Sequence, residues 1–189
     1  MRRRRKNSVP TLALVAVVVL IAYAYRYGQL TGAPAVSEDG ISVYFSPGGG
    51  CTSAVVNQID AARRSIDVEA YTFTSRPIAQ ALIEAHERGV AVRVILDDKE
   101  SRESYSLGRE LAEAGLAVFT DAHYAIAHNK IMIMDDATVV TGSFNFTMQA
   151  ENSNAENLLV ITGKPKLAQA YEENFSHHLN LSQSYNPPR

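Results

Sequence analysis

The chain is nearly devoid of cysteine. Cys51 stands alone, so no disulfide can close within the chain and no thiolate cluster can hold zinc. Its expected place is that of a small buried residue rather than a reactive thiol. Internal repeats are absent, and low-complexity sequence is confined to the extreme N-terminus, which excludes a solenoid or a largely disordered chain. Acidic residues are missing from positions 1–36, which carry six of the 18 Lys and Arg and none of the 20 Asp and Glu. The remainder therefore holds 12 basic against 20 acidic residues, a net of about −8. Such a domain is short of the positive charge that usually grips nucleic-acid phosphates. A local groove can nevertheless be basic on an acidic protein.

The 189 residues, 46% hydrophobic and 20% charged, predict one compact domain with a sizeable core. The N-terminus stands apart from it. "MRRRRK" is followed by 17 uncharged residues, Val9 to Tyr25. A basic head before an apolar run reads as a signal peptide or a signal anchor over residues 1–27. "AYA" at Ala22–Ala24 offers a cleavage site, whereas the run itself is near the lower limit for a span whose N-terminus stays inside. Either reading places the domain outside the cytoplasm, periplasmic or secreted, or anchored to the membrane through this segment. Residues 28–40, rich in Gly and Pro, read as a linker. The domain is expected over 41–182 and a tail over 183–189.

Within the domain, hydrophobic periodicity predicts strands over 41–47, 66–75, 90–98 and 116–121, alternating with helices from Cys51, from Arg76 and over 102–115. Ser75 is the expected cap of the second helix, with Gly89 and Gly115 as stops. Three further strands, "NKIMIMD", "TVVTGSF" and "NLLVIT", precede a last helix, "KLAQAYEENFSHHL". The order predicts an α/β fold, with a mixed, mostly parallel-type sheet and helices on both faces.

The stretch "HNKIMIMDDATVVTGSFN", residues 128–145, carries polar groups at both ends of an apolar hairpin. With a two-residue turn at Asp136-Ala137, His128 lies opposite Asn145 and Lys130 opposite Ser143. Opposite residues, and residues two apart, share a face. The four side chains would then form one cluster: a nucleophile or acid–base, a fixed cation and two neutral donors. That set suits a tetrahedral oxyanion such as phosphate and lacks a carboxylate cluster for magnesium. A slip of one residue would send the two halves to opposite faces. Asp135 has the opposite parity and reads as a turn or ion-pair residue.

His128, Lys130, Asp135, Gly142, Ser143 and Asn145 spell H-x-K-x4-D-x6-G-S-x-N without a mismatch. This pattern resembles the signature of the phospholipase D superfamily. "AYTFTS", "IAQALIEAHERGVAVRVILD" and "GSFNFTMQAENSNAENLLVI" extend the resemblance to the small single-motif, Nuc-type endonuclease branch. The resemblance implies the phospholipase D/nuclease fold and metal-independent phosphodiester hydrolysis, with no cofactor, through a phosphohistidine. One imidazole attacks phosphorus, and a second protonates the leaving oxygen and then activates water. Because the chain has one signature, the resemblance implies a homodimer in which His128 of each copy meets at one shared site. Lys130 and Asn145 would hold phosphoryl oxygens with Ser143 beside them, and Glu156 would orient His128. Asp135 and Gly142 are then structural members of the motif. Nucleic acid is the first-choice substrate. A phospholipase D-type hydrolase of membrane phospholipid is the alternative, and a non-catalytic nucleic-acid or lipid binding module the second.

Other ionisable residues read as bystanders. His86 is expected in solvent and His123 on the surface, and the adjacent His177 and His178 face different sides of the last helix. Glu69, in an otherwise apolar strand, reads as an ion-paired sheet residue, with a buried functional acid as the alternative. Residues 97–104, "DDKESRES", are expected to border the substrate groove.

Overall fold

A computed structural model of the chain describes residues 33–187. The expected signal peptide or anchor over 1–27 and the first part of the linker lie outside the described residues. Among the described residues, nine strands form one sheet: β1 Val36–Glu38, β2 Ile41–Ser46, β3 Ser65–Ala70, β4 Ala91–Asp97, β5 Ala117–Asp121, β6 Lys130–Met134, β7 Thr138–Gly142, β8 Glu156–Ile161 and β9 Gln183–Ser184. The helices are α1 Cys51–Ala61, α2 Arg76–Glu87, α3 Asp98–Ser101, α4 Gly108–Glu113, α5 Met148–Asn152 and α6 Pro165–Leu181.

The strand order is β1-β2-β8-β7-β6-β3-β4-β5-β9. The sheet is mixed and carries helices on both faces, as expected, but its parallel part is smaller than the sequence predicts. Only β3, β4 and β5 pair in parallel: helical crossovers join them as sheet neighbours, whereas α1 carries the chain from β2 to β3 past the places later filled by β8, β7 and β6. Every other pairing is antiparallel. Two strands arise in segments read as linker and tail. β1 forms a hairpin with β2 across Asp39-Gly40, both at positive φ, and β9 pairs with the edge of β5. The single helix expected over 102–115 is two short ones. The Asp97 carboxylate accepts from the Lys99 and Glu100 N–H groups and starts α3 early, and α4 begins only at Gly108.

β6 explains its own sequence. All five of its residues are buried, since strands flank it on both sides and helices cover both faces. Met132 and Met134 join the core beneath α1 and α2. Ile131 and Ile133 join a second core with Val139 and Phe175 beneath α6. A strand buried on both faces reads as a continuous apolar run, which is what "KIMIM" is. The polar ends of that run are therefore delivered to the rim of the sheet by a rigid central strand.

Candidate active site

The turn end of the hairpin is closed by Asp135. Its φ is 53° and that of Asp136 is 57°, left-handed values that Asp tolerates better than most residues. The Ala137 N–H donates to the Met134 carbonyl at 3.1 Å. The Asp135 carboxylate accepts three backbone N–H groups at the start of β3: Arg63 at 2.9 Å, Arg64 at 2.7 Å and Ser65 at 3.1 Å. Partial burial raises the carboxyl pKa, but these donors outweigh it and hold it below the ordinary carboxylate value. Asp135 thus ties the turn to a segment about seventy residues earlier and faces away from the chemistry.

The register of the hairpin differs from the expected one. Met134 pairs with Thr138, Ile133 with Val139 and Met132 with Val140, so the connection has three residues rather than two. Extended along this register, Lys130 falls opposite Gly142, and Ser143 and Asn145 would lose their expected partners. A bulge offsets the slip. Both the Ser143 and Phe144 N–H groups donate to the Asn157 carbonyl, at 3.1 and 3.3 Å. Two residues then face one, and the chain beyond Gly142 is re-aimed. Gly142 makes this possible: its φ is 146°, and a Cβ there would lie 2.3 Å from the Asn157 carbonyl oxygen. The Ser143 hydroxyl ends up on Glu156, donating to Oε2 at 2.6 Å, and accepts from the Asn157 N–H at 3.1 Å.

At the open end stand His128 and Lys130. Lys130 is 6% exposed, and its Nζ donates to the His128 carbonyl at 2.6 Å. The ammonium also lies 5.1 Å from the centre of the Tyr71 ring. Burial lowers the Lys130 pKa, opposed by the negative charge of Glu156. Glu156 thus binds the Ser143 hydroxyl directly and acts on Lys130 only through its charge. The His128 ring is exposed and leans on Tyr71, with ring centres 4.6 Å apart. Among the described residues its imidazole makes no hydrogen bond. The expected orienting contact from Glu156 is not formed within the chain: its oxygens are taken by Ser143 and, at 3.0 Å, by the Asn154 amide. Asn145 lies past the bulge with its Oδ1 buried and without a hydrogen-bond partner. An unpaired buried amide costs free energy unless a ligand satisfies it.

Sequence reasoning missed Tyr71, whose ring touches both His128 and Lys130. It lies inside the quoted "AYTFTS", but periodicity alone gives an aromatic residue beyond a strand no role. Residues 97–104 do lie near this rim: Glu100 Oε2 accepts from Thr72 at 3.0 Å and from Tyr105 at 3.1 Å. Among the described residues, Glu69 is not ion-paired to a basic residue. That role belongs to Asp67, gripped by both arms of Arg93. Glu69 is buried instead and accepts from the Asn129 amide. His178 is the other surprise. Its Nδ1 lies 2.9 Å from Asp121 Oδ2, while His177 stays exposed. His123 is exposed, as expected, and His86 is half-buried rather than solvated. Cys51 is fully buried, and burial with the Glu151 charge pushes its thiol up to about 12.

A sequence profile of the family described as "Cardiolipin synthase, PLD-like domain" matches residues 55–179, more than half of the chain. The chain belongs to the phospholipase D superfamily. This phospholipase D-like hydrolase is 42% identical over 140 residues to a "Phospholipase D" of Rickettsia prowazekii (strain Madrid E), covering 74% of the chain and 68% of that relative. It is 38% identical to a "Mitochondrial cardiolipin hydrolase" of Xenopus tropicalis over 126 residues, 67% of the chain and 58% of that protein. Among solved structures it is similar to Nuc, a phospholipase D family member from Salmonella typhimurium. The TM-score is 0.75 at 38% identity, covering 77% of the chain and 97% of Nuc. The mixed sheet is thus the phospholipase D/nuclease fold, and the H-x-K and G-S-x-N elements of the phospholipase D-like domain sit together at one rim of it.

Proposed function

We propose that this protein hydrolyses phosphodiester bonds in two displacements without a metal ion. An imidazole nitrogen of His128 attacks phosphorus and forms a P–N bond as the P–O bond to the leaving group breaks. A second imidazole gives its proton to the departing oxygen, then takes a proton from the water that cleaves the P–N bond and frees His128. Lys130 and Asn145 hold the non-bridging oxygens, and Ser143 joins them by turning its hydroxyl proton from Glu156 toward the phosphoryl group. The Asn145 amide, turned about its last bond, presents Nδ2 to one of them. Asp135 and Gly142 shape the strand ends. The observation that carries this reading is the exposed His128 ring, unbonded among the described residues, beside the buried Lys130 ammonium on the same Tyr71 ring.

One chain supplies one such histidine, so the second imidazole comes from a second copy across a twofold axis. In that assembly Glu156, engaged by Ser143 and Asn154 within the chain, acts on the charge of the shared site. The basic head and uncharged run at the N-terminus support a location outside the cytoplasm or on a membrane.

Nucleic acid is the favoured substrate. The likeness to Nuc over nearly all of that chain and the exposed Tyr105 beside the site, suited to stacking a base, support it. Phospholipid is the second reading. It is favoured by the acidic domain, by the Rickettsia relative, and by Tyr124 and Ile126, which stand 40% and 53% exposed on the loop leading into His128. The test offers the full-length protein single-stranded DNA, duplex DNA, RNA, phosphatidylcholine and cardiolipin, with and without EDTA. Cleavage of a nucleic acid, unaffected by EDTA, is expected. Cleavage of lipid alone overturns the first substrate choice, and loss of activity in EDTA overturns the chemistry. An active monomer by light scattering overturns the shared site.

A further inference from the structure

His128 ends a loop, residues 122–129, that crosses from β5 to β6 with little regular structure of its own. Three buried carboxylates from three strands hold it. Asp121, at the end of β5, accepts the His123 N–H at 2.9 Å on Oδ1. Asp97, at the end of β4, accepts the Ala127 N–H at 2.9 Å on Oδ2. Glu69, on β3, accepts the Asn129 amide. These carboxylates are 1%, 4% and 4% exposed. The third contact differs from the others because it is made to a side chain, and because Asn129 is the residue between His128 and Lys130.

Asn129 projects from the strand opposite to its two neighbours. Its side chain anchors to Glu69, and its carbonyl accepts the Tyr71 N–H at 3.0 Å. Tyr71 follows Glu69 by two residues, just past the end of β3. The same residue thus fixes the backbone carrying His128 and Lys130 and the ring against which both pack. Glu69 Oε1 has no partner, so Asn129 is the one hydrogen-bond donor to this buried carboxyl among the described residues.

We propose that Asn129, held by Glu69, is the positioning residue of this site: it sets the backbone from which the His128 ring and the Lys130 ammonium meet the phosphoryl group. Neither Asn129 nor Glu69 touches substrate. The pair acts by fixing the strand end, and displacement of a reacting group by about 1 Å costs up to about 100-fold in rate. This rests on the reading of His128 as nucleophile.

The experiment compares wild type with Asn129→Ala, Glu69→Ala and Glu69→Gln in the full-length protein. Three quantities are measured: kcat and KM on bis(p-nitrophenyl) phosphate, the thermal midpoint, and the NMR resonance of the His128 ring, which the Tyr71 ring current displaces. Asn129→Ala and Glu69→Ala are expected to lower kcat roughly 10- to 100-fold with KM little changed, and to move the His128 resonance toward its free value. Glu69→Gln keeps an oxygen for the Asn129 amide and is expected to restore both. The proposal is overturned if Asn129→Ala leaves kcat and the ring resonance as in wild type, or if Glu69→Gln is as impaired as Glu69→Ala. It is also overturned if the loss of kcat matches the loss of folded protein. A wild type whose activity survives His128→Ala would overturn the nucleophile reading instead. The ring resonance tests the positioning contact even then.

Discussion

The two ends of strand β6 are each secured by an acid, and the two acids live in opposite conditions. Asp135, at the turn, is satisfied by three backbone donors that hold its pKa down. Glu69, serving the open end through Asn129, is buried with one oxygen bare. Burial raises its pKa, helped by Asp121 and opposed by Asn129 and His178. At the turn end both Asp135 carboxylate oxygens are engaged, whereas the open end keeps the His128 imidazole, among the described residues, and the buried Asn145 Oδ1 unpaired. At the turn, where backbone donors take up the Asp135 carboxylate, the motif residue is architectural. Where the structure leaves hydrogen bonds open, the residue is available to a ligand. One contiguous signature therefore contains two kinds of residue that spacing cannot tell apart.

The largest break in this comparison is at the open end. His128→Ala is expected to abolish turnover, a loss of about 10⁴-fold or more, while Lys130→Met costs about 10²- to 10³-fold through the phosphoryl oxygens it no longer holds. Steady-state rates on bis(p-nitrophenyl) phosphate measure both, with circular dichroism to show that each variant is folded. The turn end should behave conversely. Asp135→Ala strips a carboxylate from three N–H groups and is expected to lower the unfolding free energy by about 2–3 kcal/mol, with kcat per folded molecule nearly unchanged. Urea titration with parallel assays checks this. A large kcat loss in a fully folded Asp135→Ala would erase the distinction between the two ends.

The subtlest test uses pH. The lowered pKa of Asp135 contributes stability that is fully present above the ordinary carboxylate value of about 3.9 and is lost as pH falls through the folded value. The raised pKa of Glu69 has the opposite sign. The native state keeps a proton that the unfolded chain has released, so its stability falls as pH rises from about 4.3 to the folded value. Asp135→Asn should therefore weaken the protein most at pH 7 and progressively less as pH falls below the ordinary carboxylate value. Glu69→Gln should remove the decline that sets in as pH rises above the ordinary Glu value. Unfolding midpoints across the acidic to neutral range decide it, and the same sign for both variants would refute the contrast.

Much of this was readable from the residues. The alternation of strands and helices, the polar hairpin ends and the family signature were all local patterns, and so was the opposite parity of Asp135. The register was not readable. It depends on left-handed conformations at Asp135 and Asp136 that Asp permits without demanding, and on the Gly142 bulge, whose cause is the approach of Asn157 from another strand. The three-residue turn and the Gly142 bulge, neither of them expected, shift the register in opposite senses, and Ser143 binds Glu156, whose charge also acts on Lys130, although Lys130 and Ser143 are not directly opposed. β1 and β9 were missed because strands of three and two residues carry no periodicity.

The sequence by itself determined the chemistry available: one histidine, one lysine and two neutral donors at fixed spacing on a strand pair, since period and side-chain type are properties of the chain. The tertiary structure alone decided which of those groups stay unpaired. Pairing depends on partners from β3, β4, β5 and β8, brought near only when the sheet assembles, and no spacing along the chain encodes where such a partner will stand.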